Sequence, residues 1–202
     1  MLNIGVLGFY GKMPSHGDFV ERRMTSEFVQ VWDAWLQSMM VSTKEALGEK
    51  WLDHYLVSPI LRFFLCPKVA GNQAWCGILL PSVDSVGRYF PLTFVCPVEK
   101  NTDPSMFFEG NASWFDKLEN LGRKVLSDQL TAEQVLQELE GVSMPQQVTS
   151  SRTIINILTG SESNLKNSYW TAFDKIDGFL VSVFSEGLPK KSLYLSMMTG
   201  VE

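Results

Sequence analysis

Apolar and polar positions along the chain alternate between two periods. Leu2 to Tyr10 is an apolar run of Ile, Val and aromatics broken by glycine, the pattern of a buried strand. From Thr25 to Leu47, Phe28, Trp32, Trp35, Leu36 and Met39 recur every three or four positions, which predicts a long helix capped at Thr25 or Ser26. Its aromatic face is expected to cover a sheet. Ile60 to Cys66 and Trp75 to Leu80 are apolar runs separated by Pro67 to Gln73, which contains Gly71-Asn72, so a β-hairpin is expected there. Phe90 to Val98 predicts a further strand. Together with the first strand, these are expected to form the centre of the sheet.

Helical periodicity returns from Ser105 to Ser127 through Phe107, Trp114, Phe115, Leu118, Leu121 and Val125, weakened by Gly110 and Gly122. A shorter helix follows. Thr131-Ala-Glu-Gln134 matches a capping box, and Gly141 supplies the stop. Gly141 to Arg152 has the Ser, Gln and Pro content of a surface loop. Ser168 to Phe173 and Phe179 to Phe184 predict a second hairpin turning at Asp177-Gly178, and Leu188 to Met198 a short terminal helix. Strands and amphipathic helices mixed in this way predict one domain over residues 1–202, a layered α/β sandwich around a mixed β-sheet.

Composition narrows the function classes. The 202 residues are 45% hydrophobic and 19% charged, enough for one substantial core. No apolar run reaches the length of a membrane span, and the amino terminus lacks the basic and apolar regions of a secretory signal, so a cytoplasmic location without membrane insertion is expected. Cys66, Cys76 and Cys96 lie in apolar runs without Cys-x-x-Cys spacing and are expected to be free buried thiols. A net charge of −5 argues against nucleic acid as a partner. Residues 99–140 hold nine Asp/Glu against four Lys/Arg, while the remainder has thirteen of each, so an acidic face on the middle third is one expectation. His16 and His54 belong to no ligand cluster, and no metal or cofactor is expected.

Two segments carry most of the candidate chemistry. The first, Gly8-Phe-Tyr-Gly-Lys-Met-Pro-Ser-His-Gly-Asp-Phe19, follows the first strand and holds Gly8, Gly11, Lys12, Pro14, Gly17 and Asp18. Its glycines allow positive φ or close backbone approach, and Pro14 fixes one φ. It is not a phosphate loop, because Val6 stands where the first Walker glycine belongs and Met13 where a magnesium-binding hydroxyl belongs. The second, Pro81-Ser-Val-Asp-Ser-Val-Gly-Arg-Tyr-Phe-Pro91, holds Ser82, Asp84, Gly87 and Arg88. If the two meet at one sheet edge, His16, Asp18, Ser82, Asp84 and Arg88 could form an enzyme-like constellation. The structural account is that Asp84 and Arg88 form an ion pair tying down a loop, with Asp18 capping the turn beside it.

These two loops resemble the TagF family, also called ImpM, associated with the type VI secretion system. The resemblance runs on through Phe28 and Trp32-Asp-Ala-Trp-Leu36, Ser58-Pro59, Arg62-Phe63, Trp75 to Thr93, Trp170 and Gly187-Leu-Pro189. Leu61 stands where the family usually has Trp, His16 occupies a position that is commonly another residue, and the last third matches sparsely. The resemblance implies a three-layer α/β/α sandwich and a cytoplasmic, non-enzymatic regulator in a Gram-negative bacterium. Such a regulator represses assembly and firing of the secretion machine after translation, through its forkhead-associated scaffold protein. It carries over no catalytic residue, and leaves the two loops as structural or partner-binding elements. The rival expectation is a small-ligand or hydrolytic site in which His16, Asp18, Asp84 and Arg88 share a pocket.

Overall fold

The computed structural model describes residues 6–147, 166–173 and 180–200. Seven strands form one sheet: β1 (Gly8–Gly11), β2 (Val20–Arg22), β3 (Leu61–Leu65), β4 (Ala74–Leu80), β5 (Leu92–Val98), β6 (Asn167–Phe173) and β7 (Leu180–Glu186). Their order is β2-β1-β5-β4-β3-β6-β7. Every neighbouring pair is antiparallel, so the sheet is antiparallel where mixed directions were expected. The reason lies in the connections. The described helices do not cross over between neighbouring parallel strands; one block sits between β2 and β3 and another follows β5.

The helices are α1 (Ser26–Leu47), α2 (Trp51–Val57), α3 (Pro104–Gly110), α4 (Ala112–Ser127), α5 (Ala132–Glu140) and α6 (Lys191–Thr199). They form two outer layers, as the layered α/β reading requires. Thr25 caps α1 by accepting the Phe28 amide at 3.3 Å, and the predicted stripe of Phe28, Trp32, Trp35, Leu36 and Met39 is buried. Trp32 stacks parallel to Trp170 of β6 at 6.1 Å and donates its indole N–H to Thr93 of β5 at 2.8 Å. Trp35 reaches the Pro189 carbonyl at 2.9 Å. With Tyr55 of α2 and Tyr194 of α6, these rings fill one side of the sheet; fully burying one such side chain contributes about 1.5–3 kcal/mol.

The opposite side packs Phe9, Phe64, Cys76, Ile78, Phe94 and Cys96 against Phe107, Phe115, Leu118, Val125, Val135 and Leu139. On β5, Phe94 and Cys96 therefore face α3–α5 while Thr93 and Val95 face α1. Both faces being covered, β4 reads as an unbroken apolar run, and β3 and β5 are each interrupted by one polar side chain, Arg62 and Thr93. All three cysteines are free and buried.

Several boundaries differ from expectation. β1 begins only at Gly8 and lies one strand from the edge, so the centre is β5, β4 and β3. The helix expected over Ser105–Ser127 is two, α3 and α4. The break is at Asn111, whose amide donates to the carbonyls of Phe107 (2.9 Å) and Gln146 (3.0 Å) while its Oδ1 accepts the Gln146 N–H (2.7 Å). The capping box before α5 forms with both reciprocal bonds. Strands β6 and β7 pair as expected from Phe173↔Leu180 outward; the Asp177-Gly178 turn and residues 148–152 of the Gly141 to Arg152 loop lie outside the described residues.

An ion network buried at Arg62 and Glu119 ties the far layer to the sheet. Arg62 of β3 gives Nε to Glu119 (2.6 Å) and Nη2 to Asp116 (2.7 Å) of α4, and Arg123 holds the second Glu119 oxygen at 3.0 Å.

Candidate functional site

Gly11 ends β1 and pairs with Leu92, which pairs in turn with Leu80 at the end of β4. The loops after β1 and after β4 therefore leave the sheet side by side. Gly11 is the point of closest approach. Its φ is 136°, and a Cβ there would lie 2.1 Å from the Pro91 carbonyl oxygen, which excludes any side chain. Gly8 opens β1. Gly17 does not have a positive φ; its carbonyl is what the fold uses.

The loop after β4 closes as a small hairpin. Val83 bridges to Tyr89, the Phe90 amide donates to Ser82 O (3.1 Å), and the Asp84 amide donates to Arg88 O (3.1 Å). The turn passes through Gly87 at φ 85°. Asp84 is its hub: Oδ1 accepts the amides of Val86 (3.1 Å) and Arg88 (2.8 Å), and Oδ2 accepts Arg88 Nε (2.7 Å) and Lys12 Nζ (2.6 Å). The carboxylate is closed to solvent. Burial pushes its pKa up, and the bonds from Lys12, Arg88 and Val86 outweigh it, holding the group well below the ordinary carboxylate range.

The two loops are joined at four further places, three hydrogen bonds and the ring contact between Phe19 and Phe90. Ser82 donates its hydroxyl to Lys12 O at 2.7 Å, and the Ser85 amide donates to His16 O at 2.9 Å. Arg88 Nη2 donates to Gly17 O. Lys12 Nζ sits 5.2 Å from the Phe19 ring centroid, and Phe19 packs on Phe90 at 4.8 Å and Tyr10 at 5.8 Å. Met13 is fully buried in the core, with Pro14 following it at the half-buried surface.

The expected Asp84–Arg88 ion pair is present, and Asp18 accepts the Phe19 amide at 2.8 Å as a turn residue. His16 Nδ1 lies 2.8 Å from Ser15 Oγ, which itself donates to Leu130 O. Ser82, Asp84, Lys12 and Arg88 are thus brought together, while among the described residues the side chains of His16 and Asp18 reach only local partners. A crevice beside Tyr55, Pro59, Pro81, Pro91, Tyr194 and Met198 includes none of His16, Asp18, Ser82, Asp84 and Arg88 and holds about 10 Å³ of water-accessible space, room for about one water.

Two features lie outside the sequence expectations, the part played by Tyr55 and the contact of Lys12 with Phe19. Tyr55 of α2 donates its hydroxyl to Ser82 O and accepts the Ser82 amide, both at 2.9 Å, and the low dielectric of its site pushes the phenol well above its usual value. Nothing local to Tyr55 marks it. Phe19 and Lys12 were visible as residues, but not the cation over the ring. The acidic middle third is also altered: Arg22 pairs with Glu133 (3.4 Å), Arg23 with Glu140 (3.8 Å), and Arg62 with Glu119 and Asp116. Three arginines from outside that segment therefore offset the charge counted within it.

No described helix is long and apolar enough to cross a membrane. Comparison with curated proteins gave no match. The protein PA0076 of Pseudomonas aeruginosa PAO1, known from a crystal structure, is 32% identical to this chain, with a TM-score of 0.82 over 96% of this chain and 94% of its own. Residues 8–142 match the TagF N-terminal domain, described as type VI secretion system-associated. That span holds both loops and the Asp84 hub that joins them; the chain belongs to the TagF family of type VI secretion system-associated proteins.

Proposed function

We propose that this protein is a cytoplasmic, non-enzymatic regulator that represses assembly and firing of the type VI secretion system after translation. It acts by binding the forkhead-associated scaffold protein of that machine. Family membership supports the secretion context. The observation that carries the non-enzymatic reading is the occupation of Asp84: four donors hold its two oxygens and solvent does not reach it, so the strongest candidate base is committed to joining two loops. The loops present Phe19 and Val86 at the surface, 42% and 67% exposed, on a backbone fixed from beneath. A fixed apolar anchor of this kind suits protein binding.

The test is expression of the chain in a bacterium with an active type VI system, scored by fluorescent sheath foci and by co-purification with the scaffold protein. Fewer foci and a retained complex are expected. Unchanged foci would overturn repression, and repression without a complex would overturn the choice of partner. A Phe19→Ala/Val86→Ser variant with native circular dichroism should lose the complex.

A further inference from the structure

The two edges of the sheet are built differently. At one edge, β2 is three residues long, two of them charged, and the next residue, Arg23, has φ 57°, which ends the strand in the left-handed region. Arg22 and Arg23 also pair with Glu133 and Glu140 of α5. A short, charged, interrupted strand is the usual protection of a sheet edge.

The other edge has none of these devices. β7 runs for seven residues, Leu-Val-Ser-Val-Phe-Ser-Glu, in unbroken register with β6. Its one charge is at the last position, it has no proline, and no described residue in it has a positive φ. Among the described residues, no strand pairs with its outer side, so alternate backbone N–H and C=O groups point away from the sheet. Phe184 on this strand is 68% exposed, with its ring 6.5 Å from Tyr169.

We propose that β7 pairs antiparallel with β7 of a second copy of this chain, continuing the sheet across a two-fold axis. The sequence of the strand selects that occupant. Centred on Val183, a two-fold pairing sets Val183 against itself, Ser182 opposite Phe184 of the second copy, and Leu180 opposite Glu186 of the second copy. No like charges face each other. Both Phe184 rings fall on one face at diagonal positions, within reach of each other, so the pairing covers the exposed aromatic surface that one copy leaves open. The strand is complementary to itself, as an isologous interface requires.

Light scattering on the purified full chain across a range of concentrations reads the result. The mass should rise with concentration toward twice the 22.8 kDa of one chain. Ser182→Lys/Phe184→Lys puts like charges opposite each other and should stay monomeric with an unchanged circular dichroism spectrum. Mixing it with Ser182→Glu/Phe184→Glu should restore the doubled mass, because the strands then carry opposite charges. The milder Ser182→Lys alone should weaken association if the double variant folds poorly. A wild-type monomer at every concentration, or a dimer that survives the lysine substitutions, overturns the proposal. So does a monomeric wild type whose lysine variant loses secretion repression, since the edge then serves a strand of another protein.

Discussion

Lys12 Nζ lies 2.6 Å from Asp84 Oδ2 across 72 positions of sequence, with both side chains buried. This pair joins the loop after β1 to the loop after β4. Because Arg88 binds the same carboxylate and also Gly17 O, the two loops behave as one unit.

Removing the hub should uncouple that unit. Asp84→Ala leaves Lys12 buried without its anion, the case in which a broken pair is most damaging. The melting temperature should drop by roughly 10 °C for a chain of this size, measured by circular dichroism. Arg88→Ala, which deletes a half-exposed group, should cost much less. If Asp84→Ala melts like the wild type, the hub does not hold the loops.

Acid should act on the same carboxylate. A folded-state pKa held below the ordinary value of 3.8 means that, as pH falls, the unfolded chain takes up the proton first. The stabilisation from Asp84 is therefore complete above that value and drains away below about pH 4. The urea midpoint of the wild type should fall through this window more steeply than that of Asp84→Asn. Equal slopes would show that Asp84 is not a source of the acid sensitivity.

Gly11 and Gly87 both have positive φ, yet they should respond differently to alanine. At Gly87 nothing lies within 4 Å of the new Cβ, so only the backbone penalty of about 1 kcal/mol applies. At Gly11 the Cβ would sit 2.1 Å from Pro91 O, forcing β1 and β5 apart. Gly87→Ala should fold with a slightly lowered urea midpoint, and Gly11→Ala should yield little soluble protein. Similar behaviour of the two would mean that the strands adjust freely at this corner.

The Arg62–Glu119 pair offers a separate reading of buried charge. Arg62→Met leaves Glu119 with only the half-exposed Arg123 and should cost about 3 kcal/mol. Arg62→Met/Glu119→Leu removes both charges and should recover most of that loss. A double variant less stable than the single one would show the ion pair to be net stabilising in its own right.

Features set by near neighbours were legible in the residues. The capping box at Thr131 and Gln134, the Thr25 cap and the aromatic stripe of α1 all depend on contacts three or four positions apart, so spacing alone exposes them. The glycine and Asn111 between α3 and α4 were less legible, because Asn111 breaks the helix by binding Gln146, 35 positions on. The loop pair was legible in part: residue types suggested an Asp84–Arg88 ion pair, which spans four positions, but not the contribution of Lys12 or Tyr55.

Local period and residue spacing in the sequence are enough to mark the longer strands and helices, their apolar faces and the absence of a phosphate loop after β1, but not the short β2 and α2 or the break between α3 and α4. The antiparallel strand order, the pairing of Arg22, Arg23 and Arg62 with a segment that looks acidic in isolation, and the closure of Asp84 to solvent come from the folded chain. Those outcomes depend on which distant segments become neighbours, and hydrophobic burial, being non-directional, leaves that choice to packing and hydrogen bonding of the whole chain.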